Sequence, residues 1–96
     1  MATYLVGHID ITDREGYRAY EAGFFEVFSQ FDGELVAVDD DPMAIEGDQH
    51  FTRSVIIRFP DRDSALAWYR SDAYQELAAI RWSTSSGAIT LIEALA

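Results

Sequence analysis

A chain of 96 residues is one domain, and 49% hydrophobic with 25% charged residues is the composition of a folded globule rather than a disordered segment. Seventeen acids stand against seven arginines and no lysine, a formal charge of −10, which disfavours nucleic acid and anionic membranes as partners. Cysteine is absent, so disulfides, thiolate nucleophiles and thiolate metal sites are excluded.

The N-terminal Met1-Ala2-Thr3-Tyr4 has no basic region leading into an apolar run, and no stretch approaches the roughly 18 apolar residues of a membrane span. The expected compartment is therefore the cytoplasm. The first element is a strand over Thr3 to Ile11, with Leu5, Gly7, Ile9 and Ile11 on one face and Tyr4, Val6, His8 and Asp10 on the other. Thr12 and Glu15 fit a capping box that opens a helix. Tyr17, Tyr20, Phe24, Val27, Phe28 and Phe31 then recur every three or four residues as an aromatic inner stripe. Asp32-Gly33 reads as the helix stop, with Gly33 in a left-handed cap.

Glu34 to Asp39 reads as a second strand, followed by the acidic Asp39-Asp40-Asp41-Pro42 and a short apolar piece over Ala44 to Gly47. Phe51 to Phe59 is the third strand, stopped by Pro60. Asp61 caps a second helix, and Ser71-Asp72 marks a break and restart before Tyr74, Leu77, Ala78 and Arg81. Ser85-Ser86-Gly87 reads as a turn and Ala88 to Leu95 as the last strand. The order predicts an α+β domain of ferredoxin-like βαββαβ type, an antiparallel four-stranded sheet with its helices on one face.

Helices on one side leave the other face of such a sheet uncovered. The face with Leu5, Ile9, Val55, Ile57 and Phe59 is the natural partner of the helices. Tyr4, Val6, Ile56, Val36 and Val38 are then expected on the opposite face, among His8, Asp10, Thr52, Ser54 and Arg58. A half-apolar face on a small domain points to a homodimer paired sheet to sheet about a twofold axis.

Candidate chemistry gathers at one rim of the helix–sheet layer. Arg53 lies on the inner face of the third strand and Arg81 near the end of the last helix, beside Tyr20, Trp68, Tyr69 and Tyr74. Two guanidinium groups among aromatic rings suit a small aromatic or carboxylated ligand. The competing expectation is that both arginines pair with Glu46 or Asp40 to pin loops while the aromatics are core. His50, in the loop before Arg53, is the candidate for proton transfer, and His8 is expected on the dimer face. The aspartate run lacks the spacing of a calcium loop and reads as a solvated turn, so no metal site and no cofactor is evident. The third strand, Arg53-Ser-Val-Ile-Ile-Arg-Phe59, lacks the alternating aromatics of an RNA-binding platform.

Phe59-Pro60, Ala65, Trp68-Tyr69-Arg70-Ser71, Tyr74-Gln75 and Arg81 form a run that resembles the domain of unknown function 1330 family. Tyr4, Thr12-Asp13, Tyr17, Tyr20, Gly33 with Leu35, Glu46-Gly47 and Arg53 with Val55 extend the resemblance over nearly the whole chain. It implies a ferredoxin-like protomer whose sheet packs on that of a second copy as a dimeric α/β barrel. It implies no reaction, although the wider superfamily includes cofactor-independent monooxygenases, haem-degrading enzymes and muconolactone isomerases. Two functional readings follow. One is an enzyme acting on a small hydrophobic or aromatic acid, monooxygenase- or isomerase-like by analogy of fold. The other is a non-catalytic ligand-binding or structural dimer.

Overall fold

The alternating segment at the start of the chain becomes β1 (Thr3–Ile11), a central strand with neighbours on both sides. In the computed structural model, which describes residues 1–95, the chain continues through α1 (Arg14–Phe28), β2 (Glu34–Asp39) and β3 (Arg53–Phe59). It ends with α2 (Arg62–Arg70), α3 (Asp72–Thr84) and β4 (Ser85–Glu93). The sheet order is β2-β3-β1-β4 and every pairing is antiparallel. This is the ferredoxin-like arrangement, with the second helical stretch divided in two.

Register follows hydrophobic alternation. Leu5 lies opposite Ile57 and Leu91, and Gly7 opposite Val55 and Ile89, so these residues share one face. That face is the buried one: Leu5, Ile9, Ile57 and Phe59 join Tyr17, Tyr20, Phe28, Trp68 and Tyr74 in the core. Trp68 is the hub, with ring centroids 4.1 Å from Tyr74, 5.7 Å from Phe28 and 5.7 Å from Phe59.

Several boundaries differ from the sequence expectation for identifiable reasons. The cap of α1 is Asp13, whose Oδ1 accepts from the Gly16 N–H at 3.0 Å. Thr12 is engaged elsewhere: its N–H and its hydroxyl both donate to the Thr84 carbonyl, tying the start of α1 to the end of α3. Helix α1 ends at Phe28, and Ser29 keeps a right-handed conformation. Gly33 is not a left-handed cap, since positive φ among the described residues is confined to Gly47 and Gly87. Its need is room: a Cβ there would lie 2.6 Å from the Phe28 ring and 2.8 Å from the Phe59 ring.

Ala44–Gly47 forms no strand. Strand β3 begins at Arg53 because Thr52 hooks onto β1, its N–H donating to the Ile9 carbonyl and its Oγ1 accepting from the Ile11 N–H. Ser85–Gly87, expected as a turn, is already strand, since α3 passes straight into β4 with Ser85 opposite Ile11. Most consequential is a bulge in β2. Leu35 pairs with Ile57 but Ala37 pairs with Ile56, so Val38 falls opposite Val55 on the helix-covered face rather than on the outer one.

Candidate functional site

Strand alternation carries Arg53 to the same face as Val55 and Ile57. The spacing of Tyr74, Ala78 and Arg81 along α3 places all three on its buried stripe. Between the helices and the sheet these elements leave a cavity of about 210 Å³, lined by both arginines, by Tyr17, Tyr20, Trp68 and Tyr74, and by apolar groups from all four strands. An apolar cavity of roughly 150 Å³ accommodates benzene, so this one has room for a single substituted ring.

The two arginines are electrostatically unlike. Arg53 donates from Nε to Asp40 at 2.6 Å and from Nη2 to Glu21 at 2.9 Å, and its guanidinium lies over the Tyr17 ring, 5.4 Å from the centroid. Both carboxylates are substantially solvent-facing, so this cluster sits on the open side of the cavity. The hydrogen bond from Arg53 holds the Asp40 carboxyl below the ordinary aspartate range.

Arg81 is only 7% exposed. Among the described residues no carboxylate lies within 4.0 Å of it, and its Nε is fully enclosed without a hydrogen-bond partner. The groups that act on it electrostatically are phenols, Tyr74 foremost, then Tyr20 and Tyr69, while the Trp82 ring lies 6.0 Å from its guanidinium carbon. An arginine stays protonated at any working pH. The cavity wall therefore contains one buried positive charge without a counter-ion.

Beside it the Tyr20 and Tyr74 hydroxyls share a buried hydrogen bond of 2.8 Å. Two hydroxyls use one hydrogen between them and leave the other to donate. Burial, reinforced by the Tyr74 hydroxyl, pushes the Tyr20 phenol well above its ordinary range, and burial raises Tyr17 against the opposing pull of Arg53. Tyr17 and Tyr20 are thus neutral at physiological pH, able to donate to an anion but not to act as bases.

Of the residues expected at the site, Tyr20, Arg53, Trp68, Tyr74 and Arg81 are brought together in the cavity wall. Tyr69 is not part of that wall; its ring packs against Trp68 and Tyr74, and it lines a separate groove under α2. His50 lies in the loop between β2 and β3, 65% exposed, with Nε2 3.7 Å from an Asp41 carboxylate oxygen, and it is not among the lining residues. Glu46 is not a partner of either arginine among the described residues, whereas Asp40 is a partner of Arg53 alone. The acidic run is engaged locally: Asp39 accepts from the Asp41 N–H, Asp40 holds Arg53 and Asp41 faces His50. Among the described residues no group of three or more His, Asp or Glu is arranged to hold a metal ion. His8 points to the outer face, its Nδ1 3.2 Å from the Ser54 hydroxyl and its ring stacked on Phe51.

Sequence reasoning missed Glu21, Phe24 and Val38 as cavity residues. Glu21 had a signal, an acid four residues after Tyr17 on the flank of the aromatic stripe. Val38 had none, because its orientation depends on the bulge.

Residues 2–95 match the family described as a domain of unknown function, DUF1330, and the chain belongs to that family. No curated protein matches it. Among solved structures it is similar to RPA0582, a protein of unknown function from Rhodopseudomonas palustris, with a TM-score of 0.84 at 18% identity over 99% of this chain and 83% of that one. SnoaB, a cofactor-independent oxygenase from Streptomyces nogalater, aligns with a TM-score of 0.67 at 16% identity, covering 97% of this chain and 92% of SnoaB. A dimeric ferredoxin-like protein of unknown function from Jannaschia sp. CCS1 gives 0.67 at 8% identity, covering 98% and 100%. At these identities the likeness is one of fold. Among the described residues no helix is long and apolar enough to cross a membrane.

Proposed function

We propose that the cavity binds a small aromatic or hydrophobic acid, its carboxylate against Arg81, within a homodimer formed through the outer face of the sheet. The observation that carries this reading is the buried guanidinium of Arg81, with its Nε unsatisfied and no carboxylate partner among the described residues, in the wall of a mostly apolar cavity. A buried charge without a partner is costly, and a carboxylate entering the cavity removes that cost. Arg53 already has two carboxylates, so the charge distribution orients the ligand: acid group to Arg81 and the free phenolic hydrogen, apolar body towards Phe24, Leu35 and Val38.

The dimer is supported by the outer face itself, where Tyr4, Val6, Ile56 and Ile92 leave a half-apolar surface, and by the dimeric state of solved neighbours. Turnover of the bound acid is supported by fold likeness to a cofactor-independent oxygenase. The geometry favours a binding site, since the only carboxylate in the wall among the described residues, Glu21, is held by Arg53 and the imidazole of His50 lies outside.

Titration calorimetry with benzoate and its neutral analogue benzyl alcohol tests the reading. Hydrogen bonds to a charged group are worth about 1.5–3 kcal/mol, so benzoate is expected to bind at least about tenfold more tightly than the alcohol. Equal affinities, or no binding of benzoate, would refute it.

A further inference from the structure

The wall of the cavity grades from closed to open. Ile9, Ile57, Trp68 and Tyr74 are no more than 2% exposed, whereas Val38 is 46% and Phe25 60% exposed, yet all line the same space. Topology accounts for the gradient. Val38, Val55, Gly7 and Ile89 form a row across the sheet, and the row stops at Val38 because β2 is an edge strand. The bulge that turns Val38 inward thus makes it the last residue of the floor and the first of the rim. On the facing helix, Phe25 stands one turn after Glu21 on α1.

The mouth between α1 and the edge of β2 has two chemically distinct parts. One is the cluster of Arg53 with Glu21 and Asp40, two carboxylates on one guanidinium and so negative by one charge. The other is the apolar pair Phe25 and Val38. Arg81 belongs to the buried wall, so an acid held by it has its far end directed at this mouth. From the exposed apolar rim we infer that the acid carries an apolar substituent opposite its carboxylate, which projects over the edge of β2 and covers Phe25 and Val38. The inference rests on the reading of Arg81 as the anion anchor and extends it to a substrate class, aryl mono-acids with an apolar tail. A second carboxylate at that end would meet the net negative cluster and be repelled. Phe25 and Val38 are then specificity-determining residues.

Titration calorimetry with benzoate, 4-butylbenzoate and the diacid terephthalate reads this directly. A methylene is worth roughly fourfold in affinity when fully buried and roughly twofold at a half-open rim, so 4-butylbenzoate should bind about tenfold more tightly than benzoate. Terephthalate should bind no more tightly than benzoate. Phe25→Gln should lower the ratio of 4-butylbenzoate to benzoate affinity, and Val38→Thr should lower it from the other side of the mouth. If circular dichroism shows one variant misfolded, the other carries the test. A flat series, a ratio that survives both substitutions, or terephthalate binding as tightly as 4-butylbenzoate would overturn the projecting substituent and leave the anchor standing. A dimer lost on sedimentation of Phe25→Gln would give the rim to a second copy of the chain and overturn it as well. Undiminished benzoate binding in Arg81→Gln, with the ratio intact, would instead remove the anchor and keep the rim. Absence of binding by every acid would remove both.

Discussion

Arg53 and Arg81 carry the same side chain into the same cavity and meet opposite surroundings. Arg53 is balanced by Asp40 and Glu21 and stacked on Tyr17. Arg53→Ala would leave both acids without their cation and release the loop that follows β2, with an expected loss of about 1–3 kcal/mol. For a domain this size each kcal/mol lowers Tm by about 4–8 °C, readily seen by calorimetry, and an unchanged Tm would contradict the structural role. The pH dependence has a definite sign. Because Arg53 depresses the Asp40 pKa, the stability this pair contributes is complete above the ordinary aspartate value and is lost as pH falls through the depressed one. The acid limb of the stability profile should therefore flatten in Asp40→Asn, modestly, since Asp40 is largely solvated. The placement of both arginines was legible in the sequence: period two along β3 and the 3.6-residue repeat along α3 sent them to the same layer. What distinguishes them was legible only in part: Asp40 was an expected partner of either arginine, but that it serves Arg53 alone, together with Glu21 from α1, depends on contacts between elements distant in sequence.

Elements that close on themselves were read more accurately than elements whose ends are set by others. Asp61 capping α2 and Ser71 capping α3 are local hydrogen bonds, to Ser64 N–H at 2.7 Å and Tyr74 N–H at 3.1 Å, and both were expected from residue type. At α1 the local rule named the wrong pair, since Thr12 is drawn to the Thr84 carbonyl seventy-two residues away. The two assignments differ experimentally. Asp13→Ala should cost about 1 kcal/mol, the usual value of an N-cap. Glu15→Gln should change stability by no more than about 0.5 kcal/mol, as Glu15 makes only an exposed 3.7 Å contact with Arg18. Chemical denaturation of both variants separates them, and a larger loss at Glu15 would restore the capping box. The bulge in β2 is the other element-scale departure. Glu-Leu-Val-Ala-Val-Asp alternates smoothly, so nothing in it announced that Val38 turns inward to face the cavity.

At the scale of the molecule, the topology was recoverable because element order, handedness and a single covered face leave few alternatives. The proposed sheet-to-sheet dimer makes two demands on solution behaviour. A charge set among Tyr4, Val6 and Ile92, as in Ile56→Glu, should give a folded monomer by analytical ultracentrifugation at micromolar concentration. Each chain carries a formal charge of −10, so association opposes like charges and should tighten as salt screens them. A dimer indifferent to Ile56→Glu would place the interface elsewhere on the fold.

The central claim is that Arg81 is held without a carboxylate partner for the sake of an anionic ligand, and thermal unfolding of Arg81→Met with and without benzoate tests it most directly. Removing an uncompensated buried charge should raise the Tm of the ligand-free protein by several degrees, corresponding to about 1–3 kcal/mol. Benzoate should raise the Tm of the wild type and leave that of the variant unmoved. A variant that melts below the wild type and is stabilised by benzoate to the same extent would make Arg81 a structural residue and end the account given for the cavity.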